Sequence, residues 1–97
     1  MSPQSNPRPY RLLITVPAAR ALAGRLPEKV AAAVYEFVTA VLVDNPHRVG
    51  RQLLLPPFGG TWSARRGSYR VLYEIYEEQR TVTVTAVEHR GDVYRSR

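Results

Sequence analysis

A chain of 97 residues and 11.0 kDa has room for one folded domain and no second, because proteins of this size bury little more than about three-fifths of their unfolded surface. Its 44% hydrophobic and 23% charged residues exclude a disordered chain, and the absence of cysteine excludes a disulfide framework or a thiolate zinc site, so packing must supply the stability. Fourteen Lys plus Arg against eight Asp plus Glu leave a formal charge of +6, which favours a polyanionic partner. All but one of those cations are arginine, the exception being Lys29. Arginine forks two N–H donors onto a phosphate where lysine offers a point charge. An arginine-rich genome would create the same preference, so the total charge weighs more than the choice of residue. No apolar run approaches the length of a membrane span, and Met1–Tyr10 lacks the apolar stretch of a signal peptide, so a cytoplasmic protein is expected.

Residues 1–9 hold three prolines and no apolar repeat, which predicts a mobile tail ahead of a single domain over 10–97. Tyr10–Val16 reads as a strand, with Leu12, Ile14 and Val16 alternating against Arg11, Leu13 and Thr15. Pro17 is placed to open a helix in which Ala18, Leu22 and Leu26 recur every fourth residue until Pro27 breaks it. Pro27 can serve as the first residue of a second helix, with Glu28 favouring its positive end. Val30, Val34, Phe37, Val38, Val41 and Leu42 follow at helical spacing up to the Asp44-Asn45-Pro46 turn. The two helices should form a hairpin. His47 to Gly60, with Leu53, Leu54 and Leu55, then Pro56-Pro57 and Gly59-Gly60, reads as a connection containing at most a short helical or extended piece.

From Thr61 the period changes to two. Trp62–Arg66 is a short strand and Gly67-Ser68 a turn. Tyr69, Val71, Tyr73 and Ile75 then face one way, and Arg70, Leu72, Glu74 and Tyr76 the other. Glu77-Glu78-Gln79-Arg80 makes a polar turn, where solvation is the ordinary expectation for both glutamates, and Thr81–Val87 alternates threonine with apolar residues. Strand, helical hairpin and a three-stranded antiparallel meander, with the helices on one side of the sheet, make an α+β domain.

The arginines concentrate at the sheet: Arg65, Arg66 and Arg70 straddle the first hairpin turn, and Arg90, Arg95 and Arg97 follow the last strand. Paired strand ends can bring such residues to one groove, although a solvated face, or pairing with Glu74, Glu77 or Glu88, would account for any one of them. Beside them stand His89 and Tyr94. A histidine moves a proton near neutral pH and a guanidinium stabilises charge on a phosphate, which are the parts of an RNA-cleaving site driven by the ribose 2′-hydroxyl. A histidine on the surface and a tyrosine packed on the core would equally explain the pair. Two histidines without cysteine make no usual zinc site, no glycine-rich loop precedes a helix, and the carboxylates are scattered, so neither metal nor cofactor is expected.

The segments Gly60-Thr61-Trp62-Ser63-Ala64-Arg65-Arg66-Gly67-Ser68-Tyr69-Arg70-Val71-Leu72-Tyr73 and His89-Arg90-Gly91-Asp92-Val93-Tyr94-Arg95, at their ends of the meander, resemble the RelE branch of the RelE/ParE toxin superfamily over nearly the whole chain from Tyr10. The resemblance implies a RelE-like fold and a metal-independent, ribosome-dependent mRNA endoribonuclease that inhibits translation and is silenced by a small RelB-like antitoxin. It places Arg70, Arg90 and Tyr94 around the scissile phosphate. Where some members carry lysines on the strand before the hairpin, this chain has Ser63 and Arg65. Arginine stays protonated, so a proton carrier is missing there, and His89 resembles a histidine that related toxins use near this position. Arg65 joins the catalytic set, whereas Arg48, Arg51, Arg66 and Arg95 are expected to bind nucleic acid, with the alignment around Gly67 leaving open whether Arg65 or Arg66 faces the site. ParE-like members poison DNA gyrase instead, and a basic module that binds RNA without cutting it is the third alternative.

Overall fold

A computed structural model describes residues 9–54 and 59–89. Residues 1–8 of the expected tail, and Arg90, Tyr94 and Arg95 among the expected site residues, lie outside the described residues.

The first strand, β1 (Arg11–Ile14), is shorter than its apolar alternation because Thr15 leaves the sheet to cap a helix. The Thr15 hydroxyl accepts from the Ala18 amide at 3.4 Å and donates to the Thr85 carbonyl at 3.1 Å, satisfying one free amide of the helix end while tying it to the sheet. Helix α1 (Val16–Arg20) carries Pro17 in its first turn and continues as a π-helical turn over Ala21–Arg25, which the Leu26 amide closes onto the Ala21 carbonyl at 3.1 Å. Leu26 and Pro27 are extended, with ψ of 147° and 148°, and turn the chain between the helices. Pro27 therefore caps α2 (Glu28–Glu36) from outside instead of forming its first residue. This second helix also widens into a π-helical turn, over Phe37–Leu42, where the Thr39 hydroxyl donates to the Tyr35 carbonyl at 2.8 Å in competition with the backbone ladder. The wider turn shifts the phase of the apolar face. Leu42 and Val43 are buried, and Val41, expected inside, is 38% exposed.

Among the described residues the connection after α2 contains one extended piece, β2 (Arg51–Gln52), followed by β3 (Trp62–Arg66), β4 (Tyr69–Tyr76) and β5 (Thr81–His89). All five strands join one mixed sheet in the order β1-β5-β4-β3-β2, in which β1 runs parallel to β5 and every other pair is antiparallel. The meander thus sits between two edge strands, one contributed by each end of the helical segment. The helices cover one face. Val34, Phe37, Val38 and Leu42 pack there with Ala64, Val71, Tyr73, Val82 and Val84, and each fully buried aliphatic side chain contributes about 1.5–3 kcal/mol. Tyr69, Val71, Tyr73 and Ile75 all meet this core, as their alternation predicts. A register shift between Leu72 and Tyr73 interrupts the β4–β5 ladder: Leu72 pairs with Ala86 and Tyr73 with Val84, leaving Thr85 as the extra residue of a bulge. The Thr85 hydroxyl donates to the Leu72 carbonyl at 3.3 Å, and the Thr85 carbonyl is the one that receives the Thr15 hydroxyl.

Candidate functional site

The face of the sheet turned away from the helices carries the charge. Residues directly opposite on paired strands share a face, and successive residues alternate, so register alone sorts the arginines. Arg65 pairs with Arg70, and Arg70 with Glu88, which puts all three in one row across β3, β4 and β5 on the open face. Arg66 pairs with Tyr69, and Tyr69 with His89, which puts those three on the helix side. The two-residue turn at Gly67-Ser68, where Gly67 adopts φ of +57°, sets this register. Of the two adjacent arginines, Arg65 shares the open face with Arg70 and Arg66 lies on the other.

Beside that row lies an open cleft of about 680 Å³, lined by Val49, Gly50, Arg51, Leu53, Ser63, Arg65 and Arg70. Arg51 pairs with Ser63, so β2 brings a third guanidinium to the same face from a segment whose sequence shows little periodicity. Gly50 permits the approach of that segment to the sheet. A Cβ there would stand 2.4 Å from the Tyr73 hydroxyl and 2.7 Å from the Ser63 carbonyl oxygen, closer than side chains come. The Tyr73 hydroxyl in turn donates to the Pro46 carbonyl at 2.6 Å, and burial raises the Tyr73 pKa to about 12. A buried tyrosine thus fastens the wall of the cleft to the centre of the sheet.

The same wall is held at its other end by a cluster that sequence reading missed. His47 Nε2 lies 2.8 Å from Glu77 Oε2, and the Tyr10 hydroxyl reaches both Glu77 oxygens at 3.0 and 2.9 Å. The His47 ring meets Trp62 edge-on at 5.3 Å, Trp62 stacks on Tyr73 at 6.3 Å, and the Arg80 guanidinium lies 4.5 Å over the Tyr10 ring. Burial first, and then the hydrogen bond to Glu77, push the Tyr10 pKa up. Glu77 is therefore no freely solvated residue of a hairpin tip: Tyr10, just before β1, and His47, in the segment after α2, converge on it. These contacts are long-range, which is why local pattern carries no sign of them.

Of the expected site residues, the structure brings Arg51, Arg65 and Arg70 together. Arg48 is exposed in the 46–48 turn and does not line the cleft. The Arg66 guanidinium lies 4.6 Å over the Phe37 ring on the helix side, and His89 Nε2 is 3.1 Å from the Ser68 hydroxyl at the β3–β4 turn. Glu88, a potential ion-pair partner by sequence, accepts from both Nε and Nη2 of Arg70 on its Oε1, at 3.1 and 2.5 Å. Among the described residues the polar lining of the cleft is three guanidiniums and a serine hydroxyl, donors that can bind and stabilise an anion, and it includes no carboxylate or imidazole. Among the described residues no group of three or more histidines and carboxylates could hold a metal ion, and no described helix is long and apolar enough to cross a membrane.

A family model described as "ParE toxin of type II toxin-antitoxin system, parDE" matches residues 18–94. Toxin RelG of Mycobacterium tuberculosis is 46% identical over 87 residues, spanning 90% of this chain and 98% of that protein. Toxin RelE of the same organism is 46% identical over 91 residues, spanning 94% of this chain and 92% of that one. A solved structure, the toxin-antitoxin complex RelBE2 from M. tuberculosis, contains a chain that superposes with a TM-score of 0.80 at 44% identity, covering 86% of this chain and 100% of its own. With the family model and two relatives matched over most of its length, and the fold shared with a solved relative, the chain belongs to the RelE-type toxins of the RelE/ParE family of type II toxin-antitoxin systems.

Proposed function

We propose that this toxin is a ribosome-dependent mRNA endoribonuclease that uses the ribose 2′-hydroxyl as its nucleophile and stops translation in the cytoplasm. The observation that carries the reading is the convergence of Arg51, Arg65 and Arg70 on one cleft of the open sheet face, a site built to receive a phosphate. In the reaction the 2′-oxygen bonds to phosphorus while its proton passes to a base. The phosphorus–5′-oxygen bond breaks and the departing oxygen takes up a proton, leaving a 2′,3′-cyclic phosphate on the upstream fragment. Arg70 and Arg65 offset the charge that builds on the phosphoryl oxygens. Proton transfer falls to His89 and Tyr94, with Arg90 as a further cation, on the family resemblance. His89 stands at the end of β5 on the helix side, so the message has to pass over the hairpin end to meet both its ring and Arg70. The relative RelBE2 is a toxin-antitoxin complex, which supports a small antitoxin as this chain's partner, and an acidic segment suits the basic cleft.

The match to the ParE family model supports a second reading, inhibition of DNA gyrase. One experiment separates the two. The purified chain is given programmed ribosomes in one reaction and gyrase with supercoiled DNA in another. Message cleavage without gyrase-dependent DNA breakage is the expected result, and the reverse pattern overturns the nuclease reading.

A further inference from the structure

We infer that Glu88 is a positioning residue for Arg70, an inference that rests on the nuclease reading above. Arg70 occupies the middle of a three-residue row, with Arg65 directly opposite on β3 and Glu88 directly opposite on β5. The cleft lies on the β3 and β2 side of that row, and Glu88 is not among its lining residues. Glu88 therefore holds Arg70 from the flank away from the cleft. It does so through the inner edge of the guanidinium: Nε and Nη2 both donate to the single oxygen Oε1. That grip consumes two of the five N–H donors and leaves three on the terminal nitrogens, which is the set a phosphate fork needs.

Two physical consequences follow from the row. A guanidinium on a long side chain that is 42% exposed samples many rotamers, and a two-donor contact to a residue fixed on the neighbouring strand reduces that freedom before substrate arrives. Like charges directly opposite on paired strands repel, and the carboxylate on the far side of Arg70 offsets the Arg65–Arg70 repulsion. Glu88 also subtracts one positive charge from the site. Its removal should thus weaken catalysis while leaving the attraction for RNA intact or stronger, a combination that neither a binding residue nor a purely structural residue produces.

The test compares the full-length wild-type chain with Glu88→Ala and Glu88→Gln. Single-turnover message cleavage on programmed ribosomes is measured beside affinity for a ribosome-free oligoribonucleotide, and the Arg70 Nε–H resonance is followed by NMR with Arg70→Lys to assign it. Glu88→Ala is expected to lower the cleavage rate about tenfold to a hundredfold, since misplacement of a catalytic group has effects of this size, with RNA affinity unchanged or increased. The Arg70 Nε–H signal should be slow to exchange in the wild type and lost in Glu88→Ala. Glu88→Gln keeps an acceptor oxygen without the charge, so it should retain the signal and recover the rate to within about threefold. A wild-type rate in Glu88→Ala, or a rate loss matched by an equal loss of RNA affinity or of folded protein, overturns the inference. If the wild-type chain cuts no message at all, the nuclease reading fails on its own. The Arg70 signal then decides whether Glu88 orients that side chain, and an unchanged signal in Glu88→Ala rejects it.

Discussion

Around the β4–β5 turn, Glu77 is held by Tyr10 and His47 while Arg80 covers the Tyr10 ring. Around the cleft, three guanidiniums gather and, among the described residues, only Glu88 pairs with any of them. Both clusters sit on the same sheet and both are built from polar residues of distant segments. They differ in whether the charges are answered by neighbours. Where they are, the cluster acts as a staple that anchors the segment after α2. Where they are not, the surplus is left for a ligand. Substitutions at the two places should therefore separate stability from activity.

The largest expected effect is at Arg70. Arg70→Ala should lower the single-turnover rate of message cleavage about 10²–10³-fold, as loss of a transition-state donor does. It should leave the denaturation midpoint almost unchanged, because a half-exposed ion pair is worth about 0–1 kcal/mol. Gly50→Ala should act on stability instead. Its Cβ collides with the Tyr73 hydroxyl and the Ser63 carbonyl, so equilibrium unfolding should show a loss of about 1–3 kcal/mol together with a displaced cleft wall.

The Tyr73 hydroxyl links the two regions and gives a pH test. The folded chain keeps the Tyr73 proton up to about pH 12, whereas an unfolded tyrosine loses its proton at the ordinary value of 10.0. The raised pKa means that Tyr73 contributes its full stabilisation below the unfolded value and loses it as pH climbs through the folded one. Stability should fall between these limits with a slope of about 1.4 kcal/mol per pH unit from this group, and Tyr73→Phe should remove that part of the slope in alkaline denaturation curves.

Smaller effects sort the remaining arginines. Arg51→Ala and Arg65→Ala should each reduce the slope of log affinity against log salt by about one phosphate contact. Arg66→Ala should leave the slope in place, since its guanidinium lies over Phe37 on the other face. His89→Gln should slow single-turnover cleavage, as loss of a proton-transfer group does. An unaltered rate would move the proton-transfer role to Tyr94.

Much of the fold was legible because its signals are local. The period-two run from Tyr69 to Tyr76, the threonine alternation after Thr81 and the breaks at Pro17 and Pro27 each state a backbone preference within a few residues. What escaped depends on distant partners. Strand β2 is only two residues long and is drawn onto the sheet by contacts that include the Tyr73–Pro46 hydrogen bond; the parallel pairing of β1 with β5 joins residues 70 apart, such as Arg11 with Thr81. The π-helical turns are equally hidden, since a valine at position 41 fits the inward stripe of an ideal helix and is displaced only when the turn widens. For the site, residue types were legible and directions were not. Arg65 and Arg66 are adjacent in sequence, and only the register imposed by the Gly67-Ser68 turn sends one to the cleft and the other onto Phe37. The same alternation places Glu88 against Arg70 and turns His89 toward Ser68.

In the proposed reaction the message supplies its own nucleophile to a phosphate held by Arg70 and Arg65. The most direct test of that step is single-turnover cleavage on programmed ribosomes of two messages identical except for a 2′-deoxy sugar at the scissile nucleotide. The all-ribose message should be cut, leaving a 2′,3′-cyclic phosphate on its upstream fragment, and the deoxy-substituted message should not be cut at that position. Equal cleavage of both would rule out the 2′-hydroxyl as the nucleophile.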